Sequence, residues 1–330
     1  MPSINTLLKG LVALAPLVVA APARVVRDGH LASASAAAAA PSGMAAAAPA
    51  PSPAAAPAAA APPAAGGGLT DIDILQFALT LEHLESEFYK QGFAKFPDSE
   101  FAALGLTEAQ IKSLKGVGET EAIHVSTLLG SIASAGAKPV EPCQYNFEAA
   151  FADAKTMVAT ARVLEAVGVS AYLGAAPVIQ SADILTAAAT IVTVEARHQA
   201  FIRVASGAEA VPAPFDTPLG PKAVFTLAAA FISSCPEGSN LAITAFPSIA
   251  LTNPEQAVVG QNLKLADAAQ PSGAAFCAFV GPAGPAFEPI TDGSCVIPQN
   301  LAGEVYMLIT KSKSVADAEV LAGPSVIQPS

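Results

Sequence analysis

The sequence predicts a mainly α protein, a four-helix bundle followed by a small β-rich, sandwich-like C-terminal domain. Three observations carry this reading. Between residues 70 and 207, apolar side chains recur at helical spacing behind recognisable N-caps. Each predicted helix has a glutamate near its middle, and the second and fourth add a histidine three residues later. After Pro212, glycine and proline become frequent and the apolar runs shorten to strand length.

Ahead of the bundle the chain reads as leader and linker. Lys9 supplies a positive n-region, Leu11 to Ala20 an apolar core, and Ala21-Pro22-Ala23 a small-x-small cleavage pattern. Residues 1–23 are therefore expected to be a secretory signal. That run is too short to span a membrane, and no later segment offers about 18 uninterrupted apolar residues. Residues 24–69 are dominated by Ala, Pro, Ser and Gly, which bury little area. Such a stretch does not offset its own ordering entropy and is expected to be a disordered linker, its serines open to O-glycosylation.

The bundle is expected over residues 70–210. Thr70 with Asp73 forms a capping-box pattern ahead of Ile74, Leu75, Leu79 and Phe88, and Thr107 with Gln110 forms a second ahead of Ile111 and Leu114. Asn146 is placed to cap a third helix through Phe147, Phe151 and Val158. Ser181 is placed to cap a fourth, through Ile184 and Ile191, which Gly207 ends. The predicted spans are 71–93, 107–135, 147–176 and 181–206, and four long helices with modest connections make a bundle.

Residues 211–330 are expected to form the β-rich domain. Strand candidates are 242–251, 261–265, 274–280, 296–298 and 304–310, the last being the clearest. Residues 223–234 fit a helix or a strand equally. The net charge of −11 and the lack of a basic cluster argue against nucleic acid as a partner. Four cysteines without a CxxC pattern suggest two disulfides in an oxidising compartment. Cys143–Cys235 with Cys277–Cys295 is the favoured choice among three arrangements.

The chemistry lies in the helices. The first carries Glu82, the second Glu121 and His124, the third Glu165, and the fourth Glu195 and His198. Residues three apart share a helical face, so each ExxH aims its Glu and His at one point in the bundle centre. Bridging carboxylates and terminal imidazoles suit a pair of divalent cations, whose four positive charges the four glutamates balance. This is the ligand pattern of ferritin-like di-iron and di-manganese bundles. One ExxH is weak evidence, since Glu and His are ordinary on a solvated face. Two, on alternate helices of a chain with four histidines, are not.

An internal repeat supports the assignment. Leu81-Glu82 and Leu164-Glu165 are each followed seven residues after the Glu by a tyrosine, Tyr89 and Tyr172, and each copy precedes an ExxH. The tyrosines fit hydrogen-bond partners of the site, redox-active neighbours or plain core packing. Glu85 is an extra carboxylate that competes with Glu82. The repeat favours Glu82, because Glu165 aligns with it while Gly168 aligns with Glu85. His83 lies about 100° around the helix from Glu82 and reads as a surface or interface residue.

The segments LQFALTLEHLESEFY, ETEAIHV, ARVLEAVGVSAYLGAA and VEARHQAFIR resemble the ferritin-like domain of fungal secreted proteins associated with stress and sexual development, which are similar to desiccation-related proteins. The resemblance covers residues 70–207 and continues less specifically through Cys235 and AGPSVI. It implies metal ligands at Glu82, Glu121, His124, Glu165, Glu195 and His198, with two Fe or Mn ions per chain, in a secreted, extracellular or cell-wall protein. It implies no settled reaction. An oxidoreductase acting on peroxide or O2 is the first expectation. A non-catalytic metal-binding or structural protein, attached to cell-wall or matrix components, is the second. A metal-free adhesion module is the third.

Overall fold

The computed structural model describes residues 68–239, 241–253 and 257–328. The expected signal segment at 1–23, and the expected linker at 24–69 except for its last two residues, lie outside the described residues.

Helix α1 (Asp71–Lys95) starts where the Thr70 side chain accepts from the backbone N–H of Asp73 and Asp73 returns the bond to Thr70. The same reciprocal box, Thr107 with Gln110, opens α3 (Glu108–Ser134). Between them lies a short helix that the sequence pattern does not predict, α2 (Asp98–Ala103); Phe101 pins it to the core. Helix α4 (Ala154–Ala175) begins seven residues later than expected. Asn146 does not cap it: its Oδ1 closes a local turn onto the N–H of Glu148, and Asp153 caps the helix through the N–H of Thr156 at 2.7 Å. Helix α5 (Ala182–Ala205) starts on the Ser181 cap as expected.

The four long helices pair as two hairpins, α1 with α3 and α4 with α5. At one end of the bundle Phe88, Phe147 and Phe151 meet with ring centroids 5.1–5.4 Å apart. Each such ring contributes about 2–3 kcal/mol over exposure to water. By length and composition α4 with its following turn, Ala154–Val178, is apolar enough to cross a membrane, but 78% of its most apolar window is buried inside this fold. It is the central core helix of the bundle.

Residues 223–234, ambiguous in sequence, are both things in turn. Helix α6 (Pro221–Ala229) leads into strand β2 (Ile232–Ser234), which pairs with β1 (Gln144–Tyr145). The remaining strands are β3 (Asn262–Lys264), β4 (Phe276–Gly281), β5 (Gly284–Pro289), β6 (Ser294–Val296), β7 (Val305–Thr310) and β8 (Val320–Ile327). All pair antiparallel, as a four-stranded sheet ordered β5-β4-β7-β8 and a β3-β6 ribbon.

Alternation along the central strands divides the sheet between two neighbours. Cys277, Phe279, Val305, Met307 and Ile309 point to the side covered by Leu263, Cys295 and Ile297 of the ribbon region. Ala278, Val280, Tyr306 and Leu308 point the other way and join the helical core with Val224 and Ala228 of α6. The sheet is therefore sandwich-like on its ribbon face and helix-covered on its other face. The Tyr306 hydroxyl donates to the carbonyl of Ala166 on α4 at 3.0 Å and lies 2.7 Å from the Ser170 hydroxyl.

Strands β5 and β8 escaped the sequence reading because each carries Gly and Pro. Both are edge strands, where a missing N–H costs no ladder bond. Gly323 is at φ +98°, and an added Cβ there would lie 2.8 Å from the carbonyl oxygen of Met307, so the bend requires glycine. The expected strand at 242–251 does not form; the described part contributes only an isolated bridge from Leu251 to Leu265. The strand expected at 296–298 is β6, displaced two residues toward the N-terminus.

Both disulfides are the favoured pair, Cys143–Cys235 and Cys277–Cys295. Their sequence separations of 92 and 18 residues correspond to chain-entropy stabilisation of about 4–5 and about 3 kcal/mol. Two such bonds are consistent with an extracellular protein.

Candidate metal centre

The six predicted site residues come together in the middle of the bundle. Glu82 enters from α1, Glu121 and His124 from α3, Glu165 from α4, and Glu195 and His198 from α5. Each sits on the buried stripe of its helix: Glu82 shares its stripe with Leu75, Leu79 and Tyr89, and Glu195 with Ile191 and Ile202. These four glutamates are at most 1% exposed, which carboxylates avoid unless something compensates their charge.

The donors fall into two overlapping groups. Glu82, Glu121, His124 and Glu195 form one, and Glu121, Glu165, Glu195 and His198 form the other. Within each group one donor atom per residue lies within 4.8 Å of the rest, and Glu121 and Glu195 belong to both. The ring nitrogens face inward. His124 Nδ1 is 3.1 Å from Glu121 Oε2, 3.2 Å from Glu195 Oε1 and 3.3 Å from Glu82 Oε2. His198 Nδ1 is 2.8 Å from Glu121 Oε1 and 3.2 Å from Glu165 Oε2.

One ring nitrogen carries one proton or one lone pair, so it does not serve three carboxylates at once. Glu82 Oε2, Glu121 Oε1 and both oxygens of Glu195 are buried without a hydrogen bond. Uncompensated buried carboxylate oxygens cost several kcal/mol together. A cation among them removes that cost. Oxygen-rich sets with one imidazole per group suit divalent first-row ions of the Fe and Mn kind, so the residues fit the group that the ligand pattern implies.

The tyrosines are crossed between the repeats. Tyr89 of α1 donates to Glu165 of α4, and Tyr172 of α4 donates to Glu82 of α1 at 2.5 Å. Sequence placed each tyrosine on the stripe of its own helix's glutamate. Which helix lies opposite was not legible, so the cross-pairing was missed. Glu85 also faces the cluster. A Cβ on Gly168 would lie 3.1 Å from Glu85 Oε1 and 2.7 Å from Glu195 Oε2, so the absent side chain at 168 makes room for both carboxylates. The repeat alignment of Glu85 with Gly168 was the signal for this. His83 stands apart, half-buried, with Nε2 3.3 Å from the carbonyl of Val140.

Protons and metal compete for this cluster. Burial, together with the charge of neighbouring glutamates, pushes Glu85 and Glu195 well above the usual carboxylate range, and burial raises Glu165 as well. Burial lifts Glu82 to about 7 against the pull of His124. Burial also opposes ionisation of Glu121, but the ring nitrogens of His124 and His198, 3.1 and 2.8 Å from its oxygens, outweigh it and bring that group to about 2. Burial disfavours the charged imidazoles too, yet their carboxylate neighbours raise His124 to about 12 and His198 to about 10.

The stability consequence follows from the signs. The raised glutamates hold protons that the unfolded chain releases above its ordinary value of 4.5, so their contribution is lost as pH rises through the folded values. The raised histidines act in the same direction above 6.5, and Glu121 alone acts in the opposite one. The metal-free protein should therefore melt at progressively lower temperature from about pH 5 to about pH 9. Saturating Mn²⁺, whose binding displaces these protons, should flatten or invert that slope. Melting curves across the range check this; a metal-free protein that gains stability over the same interval contradicts the proton inventory.

Comparison with known proteins agrees with the helical geometry. Residues 70–208 match the family described as ferritin-like domain. The chain is also similar to protein rds1 of Schizosaccharomyces pombe, with 26% identity over 185 residues, 56% of this chain and 45% of that protein. The chain thus spans less than half the length of this curated relative. The helical part is a ferritin-like domain, and its buried acidic and histidine cluster is compatible with a metal site.

Proposed function

We propose that this protein is a secreted ferritin-like oxidoreductase that holds two Fe or Mn ions and acts on peroxide or O2. The observation that carries the reading is the sharing of Glu121 and Glu195 by both donor groups, which also hold the four carboxylate oxygens buried without a hydrogen bond. On this reading Glu82, Glu121, His124, Glu165, Glu195 and His198 would hold the ions, Glu121 and Glu195 being common to both donor groups.

Such ions, when held there, would supply electron exchange with an oxygen substrate. The chain's own residues set the conditions. Tyr89 and Tyr172 fix the orientation of Glu165 and Glu82 through their hydroxyls, which burial keeps protonated at neutral pH. Burial of the cluster keeps bulk water away and strengthens each electrostatic contact. Glu85 adds a proton-holding carboxyl beside Glu195. Resemblance to fungal stress- and development-associated proteins supports a role in detoxification or development. The disulfides support an extracellular or cell-wall location.

The test is turnover. The purified full chain loaded with Mn²⁺ or Fe²⁺ is expected to decompose hydrogen peroxide or to consume O2, and Glu121→Ala is expected to lose that rate. Retained metal with no turnover of either oxidant would reduce the reading to a non-catalytic metal-binding or structural protein.

A further inference from the structure

The core of the bundle is filled unevenly. Phenylalanines pack one end. At the other, where α1 and α5 begin and α3 and α4 end, Ala78, Ala171, Ala175, Ala187 and Ala188 line a cavity of about 180 Å3. Aliphatic side chains of α1, α3 and α5, together with Ile179, form most of the remaining wall. Alanine at these positions keeps the helices regular while leaving the space between them unfilled.

The polar side chains in that wall are already engaged. The Thr127 hydroxyl donates to the carbonyl of Ile123 at 2.9 Å, and the Ser131 hydroxyl donates to that of Thr127 at 2.9 Å. Tyr172 donates to Glu82. Asp183, in the exposed first turn of α5, is the remaining polar group in the lining. The space opens to solvent beside the exposed Thr127 and Asp183, but its walls are mostly apolar, so water inside finds few partners while an apolar molecule gains by leaving bulk water.

The cavity also touches the centre, since Tyr172 forms part of its wall and its hydroxyl holds Glu82. We propose that this cavity binds a small uncharged organic molecule, mostly hydrocarbon, and presents it to the Tyr172–Glu82 side of the cluster. A cavity of about 150 Å3 takes benzene, so the occupant has roughly six to eight carbons, as a single aromatic ring or a short chain. The coupling to metal rests on the function proposed above; the binding itself does not.

The experiment is calorimetric titration of the full chain with toluene and with 1-hexanol, using 1,2,6-hexanetriol as the polar control. Metal content is measured on the same samples. One-to-one binding of the first two and none of the third is expected. Ala78→Leu and Ala188→Leu, each filling part of the space, should each weaken binding about tenfold or more while circular dichroism stays unchanged. No binding to the parent chain, or equal affinity in both filled variants, overturns the inference.

With Co²⁺ in the site, toluene is expected to shift the visible absorption of the metal. Binding without such a shift overturns the coupling to the centre. Toluene binding in a chain that takes up no cobalt would instead overturn the metal reading while the cavity inference stands.

Discussion

Glu121→Ala is expected to abolish metal retention, because it removes the carboxylate that both donor groups share and that both histidines contact. Wild-type protein in Mn²⁺ at a hundred times its dissociation constant should gain about 2.7 kcal/mol per site, a rise in melting temperature on the order of 5–10 °C. The variant should show no rise. His198→Ala should lose metal as well, because it removes the inward nitrogen of its group. His83→Ala should keep wild-type affinity, since His83 faces Val140 and not the cluster. Calorimetric titration of the three variants with Mn²⁺ separates these cases. Full affinity in both Glu121→Ala and His198→Ala would show the ligand assignment to be wrong.

The largest stability effect is expected away from the centre, at Glu304→Ala. Glu304 is buried just ahead of β7 and accepts from Arg162 of α4 at 2.7 Å and from Arg203 of α5 at 2.5 and 2.6 Å. Gln199 adds a further bond at 3.0 Å. Both arginines are buried, so removing the carboxylate leaves two guanidinium groups close together, with only Glu209 and Asp216 near Arg203 to offset their charge. Breaking a buried ion pair from one side costs about 3–5 kcal/mol. Urea unfolding should show a loss of that size, with metal content unchanged in the folded fraction. A loss below about 1 kcal/mol would mean that water compensates the arginines and that the contact does not tie bundle to sheet.

The helical half of the molecule was largely legible in the sequence. Thr70, Thr107 and Ser181 cap where expected, because a capping side chain acts within three residues of itself and needs no tertiary partner. Asn146 failed for the same local reason, since Asp153 offered a better cap next to the helix. The site was legible because an ExxH converges by helical geometry alone. What was missed depends on what lies opposite. Tyr89 reaches Glu165 and Tyr172 reaches Glu82, which requires knowing that α1 and α4 face each other. Glu85 and Gly168 complement one another across the same gap. In the sheet, β5 and β8 hide behind their Gly and Pro, which only an edge position tolerates. The 242–251 run has strand composition, but no ladder forms along it in the described residues.

Elemental analysis of the full chain purified from its native source, with metal counted per chain, tests the central claim most directly. The two overlapping donor groups predict about two Fe or Mn per chain, a content lost in Glu121→Ala. A fully folded protein that carries no metal, and gains no stability when Fe²⁺ or Mn²⁺ is added, would contradict it.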